Sequence, residues 1–127
     1  MKFKFNLFAI IILIVLIACA PKIKGPAGPD KTEKGTELYE QAEKLFKAKA
    51  YEDALNLYNE YLVKYPDQPL ADEALMKKGK INAALGRDEA KLKAYQRLVK
   101  DYPESRFVSD AMLEILSTYY KEGRFKD

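Results

Sequence analysis

Histidine and tryptophan are absent from the chain, and cysteine occurs once, at Cys19. Without histidine, the commonest general base and metal ligand is missing. A lone cysteine cannot close a disulfide within the chain, so packing must hold the fold together. Glycine is scarce, six residues in 127. No sustained alternation of apolar and polar residues suggests a strand. Hydrophobic runs are short as well. The longest, Leu7–Ala18, has twelve residues, against the ~20 that a membrane-crossing helix needs. Neither sign of charge dominates: 22 basic residues stand against 19 acidic ones. With no basic block, phosphate attraction is weak, and a nucleic-acid partner is not expected. Carboxylates are plentiful, but Glu52-Asp53, Asp72-Glu73 and Asp88-Glu89 fall at expected helix starts. There they complement the helix dipole. No catalytic residue, metal site, cofactor or small-molecule substrate is expected, and the chain does not read as an enzyme.

What is present begins with that apolar run. Lys2 and Lys4 precede it, and Pro21 and Lys22 end it. This is the layout of a secretory signal, a positive start followed by a short apolar stretch. Leu16-Ile17-Ala18-Cys19 resembles a bacterial lipobox. That resemblance implies diacylglyceryl transfer to the Cys19 sulfur, cleavage before it, and acylation of the new amino terminus. Each buried methylene contributes ~0.8 kcal/mol, so two or three acyl chains anchor stably where one does not. Lys2 and Lys4 lie in the leader, so cleavage lowers the net charge from +3 to +1. Residues 1–18 are therefore expected to be a lipoprotein signal peptide. Residues 19–34 are expected to be the lipidated cysteine and a flexible linker. The stretch "APKIKGPAGPDKTEK" holds three prolines and two glycines and has no periodicity. The folded part, 35–127, is expected to sit close to a membrane surface.

From Gly35 onward the chain reads as helices. Glu40/Lys44, Glu43/Lys47, Glu60/Lys64 and Glu89/Lys93 are spaced i,i+4 in the favourable orientation. Tyr58–Pro66, "YNEYLVKYP", and Tyr95–Pro103, "YQRLVKDYP", are offset by 37 residues, as are Ala74/Ala111 and Gly86/Gly123. A fixed period of this size signals stacked supersecondary units. Helices are expected near 36–49, 51–65, 69–85, 88–101 and 105–122. Pro66 and Pro103 stop the second helices, Pro69 suits a first turn, and Ser105 suits an N-cap. Gly86 and Gly123 suit left-handed helix ends. Tyr58, Tyr61, Tyr65, Tyr95 and Tyr102 recur on the second helices, where packing is their expected role.

The repeat resembles the tetratricopeptide repeat, a helix–turn–helix of 34 residues. Leu38, Ala42, Leu45, Ala54, Tyr58 and Pro66 match its pattern in the first unit; Leu75, Gly79, Ala90, Tyr95 and Pro103 match it in the second. Lys78 and Asn82 stand where the pattern is apolar, so Ile81, Ala83 and Leu85 are expected to carry more of that core. The third unit offers Met112, Leu116, Tyr119 and Tyr120 and stops at "KEGRFKD". The resemblance implies an all-α fold, a short right-handed solenoid of about two and a half units, incomplete at its C-terminal end.

The resemblance also implies a groove lined by the first helices. Its positions fall on Tyr39, Glu43, Phe46 and Lys47, then Met76, Lys80 and Ala83, then Leu113, Ser117, Tyr120 and Lys121. Behind a lipobox, such repeats are similar to three groups of bacterial envelope lipoproteins. These are BamD-like outer-membrane assembly factors, CpoB/YbgF-like proteins of the Tol–Pal and wall-synthesis systems, and the N-terminal regions of lipoprotein activators of penicillin-binding proteins. The implied role is a lipid-anchored scaffold for envelope proteins or peptides, facing the periplasm. Ala20 after the cysteine is not Asp, which implies release to the outer membrane. An alternative is the docking fragment of a larger lipoprotein that regulates a cell-wall enzyme or binds a ligand.

Overall fold

The structure is a computed structural model that describes residues 31–123. The leader, Cys19 and the start of the linker lie outside the described residues. Five helices follow one another: α1 (Lys31–Lys47), α2 (Tyr51–Lys64), α3 (Ala71–Ala84), α4 (Asp88–Asp101) and α5 (Val108–Lys121). No strand occurs among the described residues, and none of their helices is long and apolar enough to cross a membrane. Each helix packs on the next. α1 with α2 and α3 with α4 form two helix–turn–helix hairpins, and α5 continues the stack as a TPR-like solenoid. α1 begins at Lys31, so residues 31–34 of the expected linker are helical. Glu33 in the first turn and Lys44 and Lys47 in the last complement its dipole.

Among the described residues three carry positive φ: Lys49 at 59°, Gly86 at 68° and Gly123 at 68°. They are 37 residues apart, so each first helix is ended by the same left-handed turn. Glycine enters this region without a steric penalty, whereas Lys49 does so at a cost. The second helices end differently. α2 and α4 stop two residues before Pro66 and Pro103, because the residue before a proline avoids the helical region. Ser105 does not cap α5. It sits in a turn whose Oγ accepts from the Phe107 amide at 3.1 Å, and the helix starts at Val108. Likewise Pro69 precedes α3 rather than opening it.

The core runs along the hairpin seams. Tyr58, Tyr61, Tyr95, Leu75, Ile81 and Leu98 are fully buried, with Ala42, Ala54, Ala71, Ala74 and Ala111 between them. The tyrosines of the second helices are thus packing residues. Tyr65 and Tyr102 are half-buried, and Tyr102 Oη donates to the Pro66 carbonyl at 2.7 Å. Tyr39 meets Tyr58 and Tyr61 edge-on, with centroids 5.7 and 5.6 Å apart. Such contacts add ~0.5–1.5 kcal/mol beyond area burial. Gly79 lets Tyr95 lie on the bare α3 backbone, where a Cβ would come within 2.1 Å of the ring. In α3 the polar intruders are accommodated. Asn82 is buried and donates to the Lys78 carbonyl at 2.8 Å. Ile81 is in the core as expected and Leu85 is half-buried, but Ala83 is exposed.

Candidate functional site

Of the eleven expected groove residues, two lie elsewhere. Tyr39 and Met76 are core residues. Each lies on the flank of its first helix that faces the following helix, and large apolar side chains there are drawn into the seam. The other nine reach the surface to differing degrees. Glu43 and Phe46 are half-buried; Lys47, Lys80, Ala83, Leu113, Ser117, Tyr120 and Lys121 are exposed.

The centre of the strip is a residue that the repeat pattern does not single out. Lys77 of α3 reaches back to α1, bridges the Glu43 carboxylate at 2.8 Å and lies over the Phe46 ring at 4.8 Å. Tyr58 Oη donates to the same carboxylate from α2. Three helices therefore meet at Glu43. Burial by itself would raise the Glu43 pKa. Hydrogen bonds from Lys77 and Tyr58, and the Lys77 charge, outweigh burial and hold it below the usual carboxylate value. Burial, followed by the Glu43 contact, pushes the Tyr58 hydroxyl well up. Tyr39 is raised too, by burial first and then by the Glu43 and Glu73 charges. Its hydroxyl is buried without a hydrogen-bond partner.

A signal for these pairs existed in the sequence. Glu43 and Lys77 are 34 residues apart, one repeat of the family length. Other polar links between units have similar spacings, 33 to 35 residues. Asp72 accepts from Ser105 at 2.5 Å, 33 residues on. Glu73 pairs with Arg106 at 3.4 Å, and Glu52 pairs with Arg87 at 2.5 Å. Side chains at the same height in successive units become neighbours once the units stack.

The strip is a built surface with fixed charges and an aromatic floor. Within it the Tyr39 and Tyr58 hydroxyls are raised, and the contacts from Lys77 and Tyr58 favour the ionised form of Glu43. Among the described residues no group of side chains could hold a metal ion. A separate open cavity of ≈ 540 Å³ lies between the α2–α3 and α4–α5 connections, lined by Pro66, Asp67, Pro69, Asp72, Tyr102, Pro103 and Glu104 among others.

Comparison with known families agrees with this geometry. Residues 73–105 match the family model of the tetratricopeptide repeat. The matched segment covers α3, α4 and the turn that leads to α5. The repeat is a protein-interaction module, and no enzyme family is indicated. No curated protein matches the chain.

Proposed function

We propose that this protein is a lipid-anchored scaffold of a bacterial envelope, tethered through Cys19 and binding a protein or peptide partner along the strip formed by its first helices. One observation carries the binding half: the Glu43–Lys77–Phe46 cluster, with Lys47 and Lys80 exposed beside it, on a stack that contains a tetratricopeptide repeat. Fixed charge pairs order the strip in advance, so a partner pays little to organise it. Exposed Lys47 and Lys80 next to a half-buried aromatic ring suit an extended or helical segment bearing carboxylates and apolar side chains.

The anchoring half rests on the sequence. Leu16–Cys19 follows a twelve-residue apolar run with lysines before it, and diacylation is enough to hold a small domain at a bilayer. By the resemblance, the surface is the periplasmic face of the outer membrane, and the work is outer-membrane assembly or coordination of envelope and peptidoglycan.

Two experiments separate the halves. Intact-mass analysis of the membrane-extracted protein is expected to show a chain beginning at Cys19 and carrying two or three acyl chains; an unmodified Met1 terminus would refute the anchor. A photo-crosslinker at Ala83, an exposed position of the strip, is expected to capture a discrete envelope partner, with capture lost in Lys47→Glu/Lys80→Glu. Capture indifferent to both reversals would move binding off the strip.

A further inference from the structure

The chain enters the domain beside the open cavity. α1 begins at Lys31, and one turn later Gly35 lies against the start of the α2–α3 connection, where a Cβ would stand 3.3 Å from the Tyr65 ring. Tyr65 is followed by Pro66, which lines the cavity. The walls are mostly apolar, built from Pro66, Pro69, Pro103 and the Tyr102 ring. Two hydrogen bonds tie together the connections that form them. Tyr102 Oη donates to the Pro66 carbonyl at 2.7 Å, and Ser105 Oγ donates to Asp72 at 2.5 Å. The shape of the cavity is therefore set by the fold.

Charge and chain length indicate what enters it. Every charged residue of the lining is acidic: Asp67, Asp72, Asp101 and Glu104. Asp101 is paired with Arg97 at 3.1 Å, and Asp72 accepts from Ser105. Asp67 and Glu104 are exposed, and among the described residues neither pairs with a cation. Lys31 and Lys34, on α1, pair with none of the four. The segment before α1, "APKIKGPAGPD", carries two cations, Lys22 and Lys24, and one acid, Asp30. In an extended segment, residues two apart project to the same side, ~7 Å from each other. Their apolar stems suit the proline and tyrosine walls while the ammonium groups meet carboxylates. Lys24 precedes Lys31 by seven positions, a reach of up to ~25 Å. So short a tether holds the lysines at an effective concentration on the order of millimolar, so weak contacts are enough. A separate basic partner would have to match that concentration to compete.

We propose that the segment Pro21–Lys24 docks in this cavity, with the Lys22 and Lys24 ammonium groups on Asp67 and Glu104. Lys22 is three positions from Cys19, so the docked segment holds that sulfur within ~11 Å of the cavity. Where Cys19 carries lipid, the domain rests on the bilayer through its α2–α3 and α4–α5 connections instead of trailing on the whole linker. This seating rests on the proposed anchor. The docking does not, because Lys22 and Lys24 follow the cysteine and stay on the chain whether or not the leader is removed.

The test is photo-crosslinking of the full chain in a zwitterionic detergent, with a photoreactive residue in place of Ile23, between the two lysines. Adducts mapped by mass spectrometry are expected on 66–69 and 101–105. Lys22→Glu/Lys24→Glu and, separately, Asp67→Lys/Glu104→Lys are expected to lower the yield about fivefold. The two reversals combined are expected to restore it. Asp67 and Glu104 are exposed, so helical circular dichroism is expected to be unchanged in these variants. Adducts spread over the domain, or a yield indifferent to both reversals, overturn the proposal. Failure of the combined reversal to restore the yield overturns the charge pairing. Mixing isotopically labelled and unlabelled chains identifies the source of the segment: adducts between chains would give the cavity to a second copy and overturn docking within one chain. A photoreactive residue in place of Gln68 is expected, in the producing cells, to capture residues 20–24 of its own chain; capture of another protein there overturns the proposal as well. Intact mass reads the anchor independently, so an unlipidated chain that still forms the expected adducts removes the anchor and leaves the docking.

Discussion

In the α1–α2 hairpin the seam is built from aromatic rings. Tyr39, Tyr58 and Tyr61 meet edge to face beside a fully buried Ala42. In the α3–α4 hairpin one ring, Tyr95, is pressed onto the bare backbone of Gly79, and buried polar groups stand nearby. Asn82 satisfies itself on the Lys78 carbonyl, and the Lys91 ammonium pairs with Asp88 at 2.7 Å. Lys78 is half-buried, and its pKa is lowered, by burial first and then by Arg97. The same backbone repeat is thus filled in two ways. The first hairpin gains stability from ring contacts and a longer first helix. The second gains close approach from glycine, at the cost of helix propensity, about 1 kcal/mol relative to alanine. A repeat pattern specifies where helices cross; it leaves open which side makes room.

The sharpest way to break the comparison is Gly79→Ala. If the two hairpins were interchangeable, alanine, which serves at position 42, would serve at 79 and stabilise α3. The ring at 2.1 Å argues otherwise. Tyr95 is buried and cannot swing aside, so overpacking is expected to cost about 3 kcal/mol despite the gain in propensity. Urea unfolding followed by far-ultraviolet circular dichroism measures it. An unchanged or higher midpoint would mean that the second seam is as loose as the first.

The link between hairpins comes next. Lys77→Met keeps the stem that lies on Phe46 and removes the ammonium from Glu43. A half-buried carboxylate losing its main partner is expected to cost about 1.5 kcal/mol at neutral pH. The pH dependence has a definite sign. In the wild type the folded Glu43 pKa is depressed below 4.5. Its stabilisation is present above 4.5 and is lost as pH falls through the folded value. In Lys77→Met, burial is no longer offset by the ammonium, so protonation relieves the strain. The gap in stability between wild type and variant is therefore expected to narrow below pH 4.5. A gap that stays constant with pH would assign the loss to packing alone.

The smallest effect is a gain in the first hairpin. Tyr39→Phe keeps both ring contacts and removes a buried hydroxyl with no partner. Stability is expected to rise by about 1 kcal/mol, because an unsatisfied buried donor carries its desolvation cost without return. A loss of stability on thermal melting would show that the hydroxyl is satisfied by Glu43 or Glu73 in solution.

Much of the fold was legible without coordinates. The 37-residue offset located both hairpins and both glycine turns, and the prolines located the ends of α2 and α4. The tyrosines were assigned to packing, and Tyr58, Tyr61 and Tyr95 are in the core. The start of α1 was not legible, because Lys31–Lys34 has no apolar periodicity and follows a proline-rich stretch. The start of α5 was missed because Ser105 holds a turn instead of a cap. The strip was legible only in part. The family pattern marks a face of each first helix, yet Tyr39 and Met76 sit on the part of that face that the next helix covers. Lys77 escaped because nothing local distinguishes it from Lys78 or Lys80; its partner lies one repeat away.

The sequence by itself determined the helical period, the repeat, the turns and the aromatic character of the seams. Each of these is fixed by neighbours a few residues apart, or by a pattern that recurs along the chain. Only the tertiary structure decided which lysine bridges to Glu43 and which first-helix residues stay at the surface. Those outcomes depend on which side chains stacking brings to the same height, and on whether a small residue lets the next helix close over them.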